Sequence, residues 1–377
     1  MFRTFDFLVI GAGAAGASAA YALSAHGRVA LLEQEAQAGY HSTSRSAAVL
    51  SEAYGPKTWQ IIAAASRSFY ESPPDGFADH PLTRPLGSLF LGRAKDEAGL
   101  RDQAAQLKSR GIASEVMSPD AALRLSPAVR PDGYTLALFE AGSVSLDAGA
   151  TLQGFLRLAR RNRAETFFRA AVTAISRRGA VWHVETTKDS FEAPVIINAA
   201  GAWADGVAHL AGVGRRGVQP FRRTAITFDP PQGSDAKRWP MTFDMDETWY
   251  FKPEGRHIMA SPADLIATEP GDAQPEELDV AVAVDRIETA TTLKVGRLAS
   301  RWAGLRTFAP DHEAVIGPDP SETSFIWYAG QGGNGVMASA AGGELAAAAA
   351  VGLPMPARLE ALGLAWDMVS PRRLAPS

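Results

Sequence analysis

The feature that most constrains this chain is the run Gly11-Ala12-Gly13-Ala14-Ala15-Gly16, set between an apolar stretch and a small-residue stretch. Phe5 to Ile10 reads as a buried parallel strand and Ala14 to Leu23 as a helix. The G-x-G-x-x-G spacing gives each glycine a task. Gly11 turns the chain out of the strand, Gly13 lets a pyrophosphate approach the backbone, and Gly16 lets helix and strand pack closely. The phosphates then sit on the helix N-terminus, where unpaired N–H groups and the dipole favour anions. Arg28 to Glu33 supplies a second strand ending in an acid, followed by Gln34. Glu33 lies about twenty residues past the first glycine, where a ribose 2′-hydroxyl needs an acceptor. An acid rather than a base disfavours a 2′-phosphate, so NAD or FAD is expected ahead of NADP. The fingerprint alone does not separate those two.

At 377 residues the chain exceeds one small core, which predicts two domains. A net charge of −4 is close to neutral for this length and points to neither nucleic acid nor an anionic membrane. The absence of cysteine excludes disulfides, thiolate metal sites, a cysteine nucleophile and a thioether-tethered flavin. No metal site is expected. The longest apolar stretch, Ala338 to Leu353, is interrupted by Gly342, Gly343 and Glu344 and is too weakly hydrophobic to span a bilayer. A cytoplasmic protein, peripheral at the inner membrane at most, is the expectation.

Further along, Val195 to Asn198 reads as a buried strand running into Ala199-Ala200-Gly201-Ala202-Trp203. Phe325 to Ala329 is another, ending in Gly330-Gln331-Gly332-Gly333-Asn334-Gly335, which is expected to open a final helix. Nucleotide-type elements thus stand at the start, middle and end, with longer antiparallel-looking strands between them. The expected fold is α/β with an α+β second domain: a discontinuous Rossmann-like cofactor-binding domain (1–85, 140–215 and 300–377) interrupted by a mostly antiparallel substrate domain (86–139 and 216–299). The hydroxyl-rich run His41-Ser42-Thr43-Ser44-Arg45-Ser46-Ala47-Ala48 suits a pyrophosphate and a flat flavin ring, through its hydroxyls, Arg45 and its small residues.

Together GAGAAG (11–16), LLE (31–33), HSTSRSAA (41–48), NAAGAWAD (198–205), WAGLRTFAPD (302–311) and GQGGNG (330–335) resemble the amine-oxidising flavoproteins: D-amino-acid oxidases and dehydrogenases, glycine oxidases and sarcosine oxidases. Within these, FRRTA (221–225), WYFKP (249–253) and SPRRL (370–374) are similar to the bacterial D-arginine dehydrogenase type. The resemblance implies non-covalent FAD, contacted also by Val172, Ala200, Gly201, Trp203, Gly304, Arg306 and Gly332 to Gly335, with a quinone or other electron acceptor. It implies D-amino-acid oxidation by hydride transfer from Cα to flavin N5. A glycine- or sarcosine-type amine oxidase, a flavin 2-hydroxy-acid dehydrogenase and a non-catalytic nucleotide-binding protein stand as alternatives.

That chemistry needs a cationic clamp for the carboxylate and an unprotonated amine. A guanidinium holds a carboxylate bidentately, and Arg306 and Arg223 are the expected clamp. Strand alternation lets only one of Arg222 and Arg223 point inward; the resemblance implies Arg223, leaving Arg222 as a solvated charge. Tyr250 is expected to donate to the same carboxylate and Tyr54 to sit over the amine on a loop. His183 and His209 are expected to be structural. Val49, Ser51, Ser88 and Gly333 are expected to line the substrate pocket. The arginine-preferring type carries an acid on the loop that here reads Pro85-Leu86-Gly87-Ser88, and a histidine at the place of Val49. Their absence predicts a preference for neutral or hydrophobic side chains, unless Glu52 or Asp246 replaces the acid.

Overall fold

The computed structural model describes residues 2–375, and all counts below refer to them. A six-stranded sheet runs in the order Glu165–Phe167, Val29–Leu32, Phe7–Ile10, Val195–Asn198, Phe325–Ala329, Val315–Pro318. All pairings are parallel except the last. The central strands are apolar at consecutive positions because both faces are covered. Phe7, Val9, Leu31 and Ile197 pack with the helices Ala14–Leu23, Lys57–Glu71 and Ser339–Val351. Leu8, Ile10, Leu32 and Ile196 pack with the helix Ala204–Leu210 and a four-stranded sheet that carries Trp182 and Phe191. Each such side chain contributes about 1.5–3 kcal/mol on burial.

Two of the fingerprint glycines, Gly11 and Gly16, show the geometry their spacing predicts. Gly11 has φ +99°, and a Cβ at Gly16 would lie 1.7 Å from the Gly11 carbonyl oxygen. Only a bare Cα lets this helix rest on its strand. The alanine-rich helix Ser339–Val351 packs along the helix Ala14–Leu23. No helix among the described residues is long and apolar enough to cross a membrane.

A nine-stranded, mostly antiparallel sheet stands beside this layer. Its strand Gln219–Phe228 pairs with Leu298–Phe308, His257–Ser261 and Ile266–Ala267. Side chains alternate between two faces. Ile226 and Phe228 pack with Val280, Ala283 and Ile287 of the helix Glu277–Ala290, whereas Ala225 clusters with Met241, Tyr250 and Met259 on the other face. Arg222 falls on the helix side. It is not the solvated charge expected of it: the helix covers it, and it pairs with Glu276 and Asp279. Leu298–Phe308, expected within the cofactor-binding segment, instead pairs along its length with Gln219–Phe228. The final helix also starts later than expected, at Ser339, with Gly332 to Ala338 in turns before it.

Candidate active site

A cavity of about 520 Å³ runs from the Gly11–Ala15 turn to the inner face of the nine-stranded sheet. That volume is within the usual ligand-pocket range of about 300–1,000 Å³. At one end the lining is small residues and backbone: Gly11, Gly13, Ala14, Ala15, Ala47, Ala48, Ala200, Gly201 and Gly304. Gly13 stands at the helix N-cap without a side-chain cap, while the Ala14 N–H donates to the Thr43 hydroxyl (3.0 Å). Glu33 lines this end and is buried; its carboxylate accepts the N–H groups of Ala12 (2.8 Å) and Glu35 (2.9 Å). Burial lifts its pKa above the ordinary carboxylate value, and these two donors oppose the rise. Each oxygen retains a lone pair for a ribose hydroxyl. His41 also lines this end, its Nε2 3.0 Å from Glu35 and its ring 4.7 Å from that of Trp203. Gln34, Val172 and His209 line the cavity too, so His209 faces the site rather than serving only the fold.

Several expected contacts are redirected. The Arg45 guanidinium is engaged by Asp272 and by the carbonyls of Ala273 and Ala303, so it ties the 41–48 loop to the second sheet rather than standing free for a pyrophosphate. Ser42 donates to the Leu305 carbonyl (2.7 Å), and Ser46 accepts the Ala48 N–H. Gly332, Gly333 and Gly335 line the cavity, whereas Asn334 is buried beside it with its Oδ1 unpartnered. Gly332 and Asn334 donate their N–H groups to Thr307 and Gln331, which leaves those of Gly333 and Gly335 for a ligand. Gly16 packs on Gly11 outside the cavity.

At the other end charge and hydroxyls converge. Register places Arg306 opposite Phe221 and Arg223 opposite Gly304, so the two arginines are diagonal neighbours on one sheet face. Arg306 donates to the Tyr54 hydroxyl (3.0 Å) and lies 3.5 Å from that of Tyr250. Arg223 is buried, and its Nε has no hydrogen-bond partner. Its nearest acid, Asp264, is 3.9 Å away and already accepts the Thr224 N–H with both oxygens. Burial and the Arg306 charge push Arg223 below the ordinary guanidinium value; it stays protonated at neutral pH all the same. A Cβ on Gly333 would reach within 3.3 Å of both Arg306 and the Tyr54 hydroxyl. The clamp therefore closes against bare backbone.

The remaining wall is Val49, Ser51, Ala225, Met241, Phe243 and Met259. Sequence reasoning missed Met241, Phe243 and Met259, whose strands show which face a side chain takes only once the pairing register is known, and Asp264, which lies on the loop between His257–Ser261 and Ile266–Ala267. Ser88 is a correction: it is fully buried, bonded to Ser143, and absent from the cavity wall. Neither substitute acid reaches the cavity. Glu52 is held by Arg67, and Asp246 pairs with Lys95 and Arg93. Glu33, at the far end, is the one carboxylate among the lining residues.

Residues 6–349 match the family described as FAD dependent oxidoreductase (DAO). The chain is 24% identical over 372 residues to glycine oxidase of Bacillus licheniformis, covering 94% of this chain and 95% of that protein. It is 25% identical over 364 residues to N-methyl-L-tryptophan oxidase of Salmonella arizonae, covering 91% and 94%. Glycine oxidase from Geobacillus kaustophilus shares the fold, with TM-score 0.82 at 18% identity over 99% of this chain and 100% of that one. These relatives do not single out the D-arginine dehydrogenase type. The cavity fits the cofactor of the family: an uncapped helix N-terminus at Gly13, small residues along one end, and the buried Glu33 carboxylate with lone pairs to offer. The chain belongs to the FAD-dependent oxidoreductase (DAO) family, and its cofactor is FAD.

Proposed function

We propose that this chain oxidises D-amino acids with neutral side chains to imino acids, which water hydrolyses to 2-oxo acids and ammonia. One observation carries the reading: Arg306, Arg223, Tyr54 and Tyr250 converge on a cavity end whose wall contains no carboxylate. Bound FAD supplies the hydride acceptor at N5. Arg306 holds the substrate carboxylate through charge-assisted bonds, and the unpartnered Arg223 adds a second cation. Tyr54 accepts from Arg306, so its own proton is free to point into the cavity. Val49, Met241, Phe243 and Met259 surround the side chain and keep water from it. A cationic tail has no acid to meet there, a deficit of about 1.5–3 kcal/mol.

In this reading Gly11, Gly13, Ala14, Ala15, Glu33, Thr43, Ala47, Ala48, Gly333 and Gly335 hold the cofactor. The segments 1–85, 140–215 and the chain beyond Phe308 form its domain, and 86–139 with 216–308 form the substrate domain. The names of the relatives favour a second reading, a glycine or N-methyl amino acid on the same clamp. Anaerobic titration of the flavin band with D- and L-amino acids, glycine and sarcosine separates them. Bleaching by D-leucine, D-methionine or D-phenylalanine with a kcat/KM above that of D-arginine is expected. A kcat/KM for D-arginine well above theirs, or bleaching by glycine and sarcosine alone, overturns the first reading. Hydrogen peroxide per turnover, set against dye reduction, then assigns the electron acceptor.

A further inference from the structure

Glu140 ends the strand Leu136–Glu140, is fully buried, and has no cation beside it. Three donors hold its carboxylate instead: the Ser51 hydroxyl at 2.5 Å, the Glu52 N–H at 2.9 Å and the Ala53 N–H at 3.4 Å. Ser51 in turn lines the cavity, on the same short segment that carries Val49 and Tyr54. A residue of the cavity wall thus gives its hydroxyl directly to a buried, otherwise uncompensated carboxylate, and the same hydroxyl oxygen accepts the Ala53 N–H (3.3 Å). Such a carboxylate is costly to keep charged. The charged groups facing it are Glu52 and, through Glu52, Arg67 and Arg110; in register on the flanking strands stand only the hydroxyl residues Ser88 and Ser114.

We propose that Ser51 and Glu140 together accept the proton that the substrate ammonium must lose before oxidation. The inference rests on the amino-acid reading above. An α-amino acid arrives at neutral pH as an ammonium ion, and loss of hydride from Cα needs the nitrogen lone pair. One N–H bond breaks and its electron pair stays on nitrogen. The proton bonds to the Ser51 oxygen while the O–H of Ser51 passes to Glu140, which becomes a neutral carboxyl. Burial already raises the Glu140 pKa above the ordinary value, with Ser51 and the two N–H donors opposing, so the carboxylate is a stronger base than one in water. The histidines in the wall do not fill this role. His41 is bonded to Glu35, and His209 projects from the helix Ala204–Leu210, both among the segments of the first sheet.

The test uses the flavin-loaded enzyme and its best D-amino acid, with anaerobic reduction followed against pH in wild type, Glu140→Gln, Ser51→Ala and Ser51→Thr. Glu140→Gln and Ser51→Ala are expected to slow reduction about 10²-fold near neutral pH and to move the profile up by about one pH unit or more, toward the amine's own pKa. Ser51→Thr, which keeps the hydroxyl, is expected to follow wild type. The double variant Ser51→Ala/Glu140→Gln should be no slower than the slower single one. Infrared difference spectra on adding substrate should show a protonated-carboxyl band in wild type that is missing from Glu140→Gln. Should Glu140→Gln fail to load flavin, the Ser51 pair decides the matter. A wild type that no amino acid bleaches overturns the amino-acid reading and this inference with it. A wild type that is bleached, with Ser51→Ala unshifted or Ser51→Thr as slow as Ser51→Ala, overturns this inference alone.

Discussion

The two ends of the cavity are built from different materials. The end at Gly11–Ala15 is backbone, alanine and glycine, with one buried acid and side chains supplied almost wholly by residues 10–48 and 199–210. The end at Arg306 is side-chain chemistry: Arg223, Met241, Phe243, Tyr250 and Met259 meet because strands far apart in sequence are neighbours in one sheet, and the 49–54 segment brings Val49 and Tyr54 against them. The first end recognises a group common to many reactions, and close approach is its requirement. The second must distinguish one small molecule from another, and charge balance is its requirement. Damage to the first should therefore appear as lost cofactor, and damage to the second as lost turnover in a protein that remains yellow.

The sharpest way to break that contrast is Arg306→Ala. Removing one side of a buried charge-assisted pair costs about 2–5 kcal/mol, so kcat/KM should fall roughly 30- to 5,000-fold with flavin content unchanged. Loss of flavin in proportion to activity would erase the distinction between the ends. Next comes Val49→Glu, which writes an acid into the apolar wall. The ratio of kcat/KM for D-arginine over D-leucine should rise by about 1.5–3 kcal/mol, or roughly 10- to 100-fold. An unchanged ratio means that the side chain of the substrate does not face Val49. At the other end, Gly16→Ala places a Cβ 1.7 Å from a carbonyl oxygen. Thermal melts should show a loss of about 1–3 kcal/mol, with flavin loading falling alongside and turnover per bound flavin preserved.

The same contrast explains what the sequence made legible. The fingerprint and the apolar strands Phe7–Ile10 and Val195–Asn198 could be read directly, because steric need restricts those positions to glycine or to residues buried on both sides. Alternation set Arg222 and Arg223 on opposite faces, and only the resemblance chose Arg223 as the inward one; Arg223 lines the cavity. What alternation does not supply is the partner. Nothing near Arg222 announces Asp279, and nothing near Arg45 announces Asp272, because those ion pairs span 57 and 227 residues. Ser88 was misjudged for the same reason. It read as the end of a loop, whereas it opens the strand Ser88–Gly92, and the serine that occupies its hydroxyl lies 55 residues away.

The smallest effect concerns Glu33, the one acid in the wall. Its pKa is raised in the folded protein, by burial foremost, above an unfolded value of about 4.3. Its share of stability is therefore fully present below that unfolded value and is lost as pH rises through the folded one. Glutamine is uncharged like the protonated acid, but its amide nitrogen cannot accept the N–H that the second carboxyl oxygen accepts, a cost that does not change with pH. The stability gap between flavin-free wild type and Glu33→Gln should thus be constant in acid. It should shift in favour of Glu33→Gln between about pH 4.3 and the raised folded value, then stay constant toward neutrality. FAD should narrow it, since a ribose hydroxyl donating to the carboxylate favours the charged form. A gap that opens toward acid instead would reverse the sign of the burial effect. A gap that FAD leaves untouched would remove Glu33 from the cofactor end.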